Sequence, residues 1–205
     1  MLNVITLDLE GVLVPEIWIE FSKITNIPEL KLTTRDVPDY DVLMQKRIGL
    51  LKDHGLRLAD IQAVIRQMEP MEGAREFLDA LRARTQVVIL SDTFTQFAGP
   101  LMEKLGRPAI FCNTLNVDAH GAVTGYQLRQ KDGKTKAVKA FHSMGLQVFA
   151  AGDSYNDTGM LQEADAGFFF CPPEGIVTQF PQLPVTWNYT ELAAAFEPHL
   201  KGVGQ

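Results

Sequence analysis

Cysteine is scarce in this chain of 205 residues: Cys112 and Cys171 are the only two, and their spacing excludes a CxxC zinc ribbon, a thioredoxin-like redox motif and a disulfide-framed fold. Both stand beside apolar residues, Ile110-Phe111 and Phe168-Phe169-Phe170, and are expected to be buried, reduced thiols. Long basic runs are also missing. Nineteen Lys plus Arg against 25 Asp plus Glu leave a net charge of −6, which argues against tracking a phosphate backbone, so no nucleic acid partner is expected. No stretch reaches the roughly 18 apolar residues of a membrane span. The apolar first 14 residues carry Asp8 and Glu10, lack a basic start and are followed by no small-residue cleavage site, so the expected address is cytoplasmic, with no membrane partner. The four histidines (54, 120, 142 and 199) show no ligand spacing.

What is present is a globular composition, 46% hydrophobic and 21% charged, with segments of two periods in alternation. Val4–Leu7, Gln86–Leu90 and Gln147–Ala151 are short apolar runs of the kind that form strands covered on both faces. Between them, Glu72–Arg84 and Lys134–Met144 repeat apolar residues at helical spacing. Strand, helix, strand predicts an α/β, doubly wound, Rossmann-like parallel sheet. The stretch 16–69 breaks the rhythm with three helical patterns, Glu16–Thr25, Tyr40–Lys52 and Leu58–Met68, and is far longer than an ordinary crossover. It is expected to be a small inserted helical cap on a core formed by 1–15 and 70–205, the Met and Phe residues of the cap being core. Asn116–Leu128, with His120-Gly121 between extended flanks, predicts an antiparallel hairpin on a sheet edge, and Asn188–His199 a final surface helix.

The polar groups fall where the strands end. The first strand runs into Asp8-Leu9-Glu10, the second into Ser91-Asp92-Thr93, and the third into Gly152-Asp153-Ser154-Tyr155-Asn156-Asp157. In open α/β sheets this carboxyl edge is where ligands bind. Carboxylates gathered there repel one another unless a divalent cation holds them, and an all-oxygen donor set favours Mg²⁺ over zinc. Of Asp8 and Glu10, one can attack as a nucleophile while the other shuttles a proton. Ser91 and nearby backbone N–H groups can hold phosphoryl oxygens and a lysine can neutralise them: Lys134 first, with Lys131 and Lys136 as competitors. Structural alternatives stand beside these, with Ser91 as a helix N-cap and Asp157 as the cap of a helix beginning near Thr158. The three polar strand ends together favour a phosphoryl-transfer site.

At these residues the chain resembles the haloacid dehalogenase superfamily of aspartyl-phosphate phosphotransferases. Its signatures are matched in order by Asp8-Leu9-Glu10-Gly11-Val12, Ser91, Lys134, and Gly152-Asp153 with Asn156-Asp157, over about Val4 to Met160. Within it the sequence is most similar to the phosphoserine phosphatases, and the run from Asp8 to Glu16, with Glu10 where most members have Asp, resembles their bifunctional homoserine phosphotransferase type. The resemblance implies Mg²⁺ held by the Asp8 carboxylate, the Glu10 main-chain carbonyl and Asp153, with Asp157 supporting the metal or Lys134. It implies catalysis by Asp8, Glu10, Ser91 and Lys134, and substrate contacts from Glu16, Arg47, Ser91, Asp92, Lys134 and Asn156. The implied substrate is L-phosphoserine and the implied acceptors are water and homoserine. Glu16 and Arg47 would meet the ammonium and carboxylate of phosphoserine, the alternative for Arg47 being an exposed, snorkelling position. A phosphatase for another small phosphomonoester and a receiver-like phospho-acceptor module are the competing readings; the receiver lacks a cap. Nothing in the sequence indicates an oligomeric state.

Overall fold

The computed structural model describes residues 2–34, 36–37 and 39–200; two positions of the expected cap, and the first and the last five residues of the expected core, lie outside them. In chain order the elements are β1 (Asn3–Leu7), α1 (Ile17–Thr25), α2 (Tyr40–Asp53), α3 (Leu58–Gln67), α4 (Ala74–Arg82), β2 (Gln86–Phe94), α5 (Thr95–Lys104), β3 (Ala109–Val117), β4 (Val123–Gln127), α6 (Gly133–Ser143), β5 (Gln147–Gly152), α7 (Thr158–Glu163), β6 (Ala166–Phe170), α8 (Glu174–Gln179), β7 (Val185–Thr186) and α9 (Tyr189–Leu200). The seven strands form one sheet in the order β4-β3-β2-β1-β5-β6-β7, parallel except where β4 runs antiparallel to β3. The doubly wound α/β expectation is met.

Side-chain alternation divides the sheet's two faces. On β1, Ile5 and Leu7 join Val87, Ile89, Phe149 and Ala151 in a core that also takes in α3, α4, α5 and α9. Val4 faces the other way, with Leu90, Val148 and Ala150, under α6 and α7. All five residues of β1 are buried, as a strand covered on both faces requires. β1 lies between β2 and β5, with Leu7 opposite Ile89 on one side and Ala151 on the other. The sheet order therefore turns at β1, and a crevice opens beyond its carboxyl end.

Between β1 and α4 the chain forms α1, a 3₁₀ turn at Pro28–Lys31, α2 and α3, with bounds within a residue or two of the sequence reading. Phe21 and Met44 in this segment are buried. α3 packs on α1 and on α5, and α2 packs on the edge strand β4, where Tyr40 meets Tyr126 edge-on at 5.6 Å and the Tyr126 hydroxyl donates to Asp41 Oδ1 at 2.7 Å. α9 buttresses the loop after β1. Tyr189 stacks between Phe77 and Phe170 at 4.9 Å from each and donates from its hydroxyl to the Val12 carbonyl at 2.7 Å. Among the described residues no helix is long and apolar enough to cross a membrane.

One expectation fails. Cys112 is buried, but Cys171 is exposed. β6 ends at Phe170, and Cys171 adopts a left-handed φ of +46°, which turns the side chain off the sheet so that Sγ donates to the Trp187 carbonyl at 3.2 Å. Apolar neighbours on a strand do not bury the residue at which the strand stops.

Candidate active site

The end of β1 is set by its neighbours. The Asp8 N–H still bonds to the Ala151 carbonyl at 3.0 Å, so the Asp8 side chain is held beside the end of β5. The chain then folds back on itself: Leu13 and Val14 N–H both donate to the Leu9 carbonyl and Gly11 N–H donates to the Val14 carbonyl. Gly11 has φ +80°, and a Cβ there would overlap the Asp153 carboxylate, so glycine permits both the turn and the approach of Asp153. Gly152, at the end of β5, permits only a close approach, since a Cβ there would overlap the Asp157 carboxylate.

These contacts gather Asp8, Asp153 and Asp157, all buried, with carboxylate oxygens within 4.8 Å of one another. Lys134, in the first turn of α6, reaches in with Nζ 2.8 Å from Asp8 Oδ1 and 2.7 Å from Asp157 Oδ1. The other oxygen of Asp157 accepts from the Asp153 and Ser154 N–H groups at 2.9 and 3.1 Å. Burial disfavours the Lys134 ammonium, but Asp157, Asp8 and Asp92 together outweigh it and raise its pKa. Three acids against one ammonium leave a deficit of positive charge: burial, then Asp157, push the Asp8 carboxyl well above the usual carboxylate range, with Lys134 opposing. A buried all-oxygen cluster short of positive charge fits a hard divalent cation.

Glu10 points the other way around the turn, its Oε2 accepting from the Ile17 N–H at 2.9 Å. Burial, reinforced by Glu16, pushes its pKa up to about 8, against the Ile17 N–H and Arg47. Ser91 is buried on β2 and its Oγ accepts from the Thr93 N–H at 3.2 Å. Asn156 Nδ2 donates to Asp92 Oδ2 at 2.8 Å, and the Asp92 carbonyl accepts from Asn113 Nδ2 at 3.1 Å and the Tyr40 hydroxyl at 3.2 Å. Above them Arg47 projects from α2, only 7% exposed, with Nη2 donating to the Leu32 carbonyl at 2.8 Å and its guanidinium 4.5 Å over the Trp18 ring. Burial lowers its pKa to about 10, with Glu10, Tyr40 and Glu16 opposing.

A cavity of about 780 Å³ joins the two halves, with Asp8, Glu10, Ser91, Asp92, Lys134, Asp153 and Asn156 on the sheet side and Glu16 and Arg47 on the inserted segment. Nine of the ten residues singled out from the sequence thus line one space; Asp157 stands directly behind Lys134. Lys131 and Lys136 are exposed, whereas Lys134 is buried against the acids. Ser91 is no helix N-cap, because β2 continues to Phe94 and α5 starts only at Thr95. Asp157 occupies the N-cap position of α7, but its side chain makes no capping bond there and instead closes a capping box with Ser154 over a 3₁₀ turn, Tyr155–Asp157. Arg47 is buried rather than snorkelling. Sequence reasoning missed Trp18 and Tyr40 in the cavity wall. Tyr40 carried a signal, since Tyr40, Leu43 and Arg47 recur at i, i+3 and i+7 and share one helix face.

Comparison with known proteins fits this geometry. A profile of haloacid dehalogenase-like hydrolases matches residues 31–162. The chain is 56% identical over 195 residues to phosphoserine phosphatase ThrH of Pseudomonas aeruginosa, covering 95% of each chain. It is 57% identical over 190 residues to a phosphoserine phosphatase of Pseudomonas syringae pv. tomato, covering 93% of this chain and 80% of the other. Among solved structures, phosphoserine phosphatase in apo form superposes with a TM-score of 0.77 at 23% identity, over 96% of this chain and 98% of the other. A phospho-aspartyl intermediate analogue of phosphoserine phosphatase follows at 0.73 and 24%, over 95% and 98%. With fold, motif order and relatives in agreement, the chain belongs to the haloacid dehalogenase-like hydrolases.

Proposed function

We propose that this protein is a Mg²⁺-dependent enzyme that moves phosphate from L-phosphoserine onto Asp8 and then to water or to homoserine. Residues 16–69 act as the cap over a catalytic core formed by 1–15 and 70–205, and the reaction takes place in the cytoplasm. The observation that carries the reading is one small-molecule-sized cavity with a phosphate-handling end at Asp8, Ser91, Lys134 and Asp153 and a buried guanidinium, Arg47, at the other. The two Pseudomonas relatives support the choice of substrate. The helical segment over the cavity speaks against a receiver module, whose phospho-aspartate must stay open to a protein partner.

An Asp8 oxygen attacks phosphorus in line, forming the acyl phosphate as the bond from phosphorus to the seryl oxygen breaks. Glu10, which burial keeps protonated up to about pH 8, gives its proton to that leaving oxygen. The resulting carboxylate then takes a proton from the water or homoserine hydroxyl that attacks phosphorus and frees Asp8. Lys134 and Ser91 hold the phosphoryl oxygens, and Asp157 keeps Lys134 aimed at them. Asp8, Asp153 and the Glu10 main-chain carbonyl would hold Mg²⁺, with Asp157 behind them; the ion supplies the positive charge that the acid cluster and the phosphate need. Glu16 and Arg47 meet the substrate's ammonium and carboxylate, and Asp92 with Asn156 completes the wall around them.

Two outcomes test this directly. Phosphorus NMR with Mg²⁺ and phosphoserine is expected to show inorganic phosphate, joined by phosphohomoserine when homoserine is added; phosphate alone would remove the transferase activity, and an unchanged spectrum would remove the substrate. Arg47→Ala is expected to cut kcat/KM for phosphoserine roughly 100-fold, while an aryl phosphate without a carboxylate loses little. Equal losses would return Arg47 to a purely structural role.

A further inference from the structure

Trp18 takes no part in the reaction just described, yet it is buried in the cavity wall against the one guanidinium that reads the substrate. Its indole is fixed by two edge contacts, to Phe21 at 6.2 Å and 79° and to Phe97 at 5.8 Å and 67°. Phe97 belongs to α5 and Phe21, like Trp18, to α1 of the inserted segment, so the ring is braced both from its own helix and from the far side of the β1–α4 connection. Arg47 lies over this face with Cζ 4.5 Å from the ring centroid. Its hydrogen bonds go to the Leu32 carbonyl and, at 3.8 Å, to the Met44 sulfur, and its buried Nε has no hydrogen-bond partner.

We propose that Trp18 is a specificity-positioning residue: its π face holds the Arg47 guanidinium in place while leaving its charge for the carboxylate of the substrate. The inference rests on the reading that Arg47 meets that carboxylate, and deepens it. A carboxylate in the place of the indole would hold the guanidinium equally well, but would neutralise it and compete with the ligand for its N–H edge. An aromatic face attracts the cation from above the guanidinium plane and leaves the in-plane donors aimed elsewhere. This contact also supports a buried guanidinium whose direct hydrogen bonds go only to a carbonyl and a thioether, Glu10 and Glu16 acting on it through charge alone.

The test is the ratio of kcat/KM for phosphoserine to that for phosphoethanolamine, which shares the phosphate and ammonium but lacks the carboxylate. Wild type, Trp18→Phe, Trp18→Leu, Arg47→Ala and the Trp18→Leu/Arg47→Ala double variant are compared. Trp18→Leu is expected to lower the ratio about tenfold, through KM for phosphoserine with kcat held within about twofold. Trp18→Phe is expected to retain most of the ratio, and Trp18→Leu is expected to leave it unchanged once Arg47 is gone. The proposal is overturned if Trp18→Leu lowers both substrates alike, or lowers the ratio further in the Arg47→Ala background. Should Trp18→Leu not fold, Trp18→Met, which also removes the π face, takes its place in the same comparison, and a selectivity loss that persists without Arg47 rejects the proposal. An unchanged ratio in Arg47→Ala itself rejects the carboxylate reading and this inference together, whereas a drop there with none in the Trp18 variants rejects this inference alone.

Discussion

Asp8→Asn is expected to lower kcat for every phosphomonoester by roughly 10⁴-fold or more, as loss of a covalent nucleophile does elsewhere. It should also remove the acid-labile phosphoenzyme that labelled substrate leaves on the native protein. An amide matches the carboxylate in size but cannot form the acyl phosphate. The fold should not suffer. In the metal-free protein the Asp8 carboxyl is buried beside Asp157 and Asp153, and that environment already opposes its charge. Removing the charge is therefore expected to leave the melting temperature unchanged or higher, so the loss of activity cannot be a loss of structure. Turnover retained by Asp8→Asn would place the nucleophile elsewhere.

Lys134→Met has the opposite profile, with stability and activity falling together. The Lys134 ammonium is the cation in contact with both Asp8 and Asp157. Breaking a buried pair by removing one partner typically costs about 3–5 kcal/mol, and here it leaves three acids facing one another. The sign with pH follows from the Asp8 shift. A carboxyl raised above its unfolded value stabilises the fold only while protonated, so the deficit of the variant should shrink as pH falls and grow as pH rises through the raised pKa. Mg²⁺ should raise the melting temperature of the variant more than that of the native protein, because it replaces part of the missing charge. Activity is expected to fall about 10³-fold. A variant with native stability and no response to Mg²⁺ would mean that the three acids do not form a common cation site. Calorimetry against pH and Mg²⁺ reads both.

The sheet and most of the site were legible because their signals are local. Val4–Leu7, Gln86–Leu90 and Gln147–Ala151 are apolar runs that stop at acids or hydroxyls, and stopping there is what places Asp8, Ser91 and Asp153 together. What stayed hidden depends on contacts between distant segments. Spacing put Lys134 first but kept Lys131 and Lys136 as competitors, since only the packed position of α6 shows that Lys134 is the one buried. β7 has two residues, too few for any period, and is a strand only because Phe169 and Phe170 pair with Val185 and Thr186. Ser91 was expected beyond the end of β2, yet the strand runs on past a shift in its register with β3 to Phe94. Trp18 reads as one more core aromatic of α1, and its meeting with Arg47 depends on how α1, α2 and α5 pack.

The position of β1 at the middle of the sheet also fixes the order in which the protein can be completed as it is synthesised. β1 leaves the ribosome first, but its neighbours begin at Gln86 and Gln147, and Lys134 and Asp157 follow equally late. The segment holding α1, α2 and α3 emerges in between and forms largely from local helices, whereas β1 must wait for pairings that are distant in sequence. A half-made chain therefore carries an apolar strand whose β5 edge is still open and a buried-site aspartate without its lysine. That is the species most exposed to aggregation. Truncation anywhere before β5 is expected to yield insoluble protein rather than a smaller active domain, because the strand made early lacks its second neighbour until most of the chain exists.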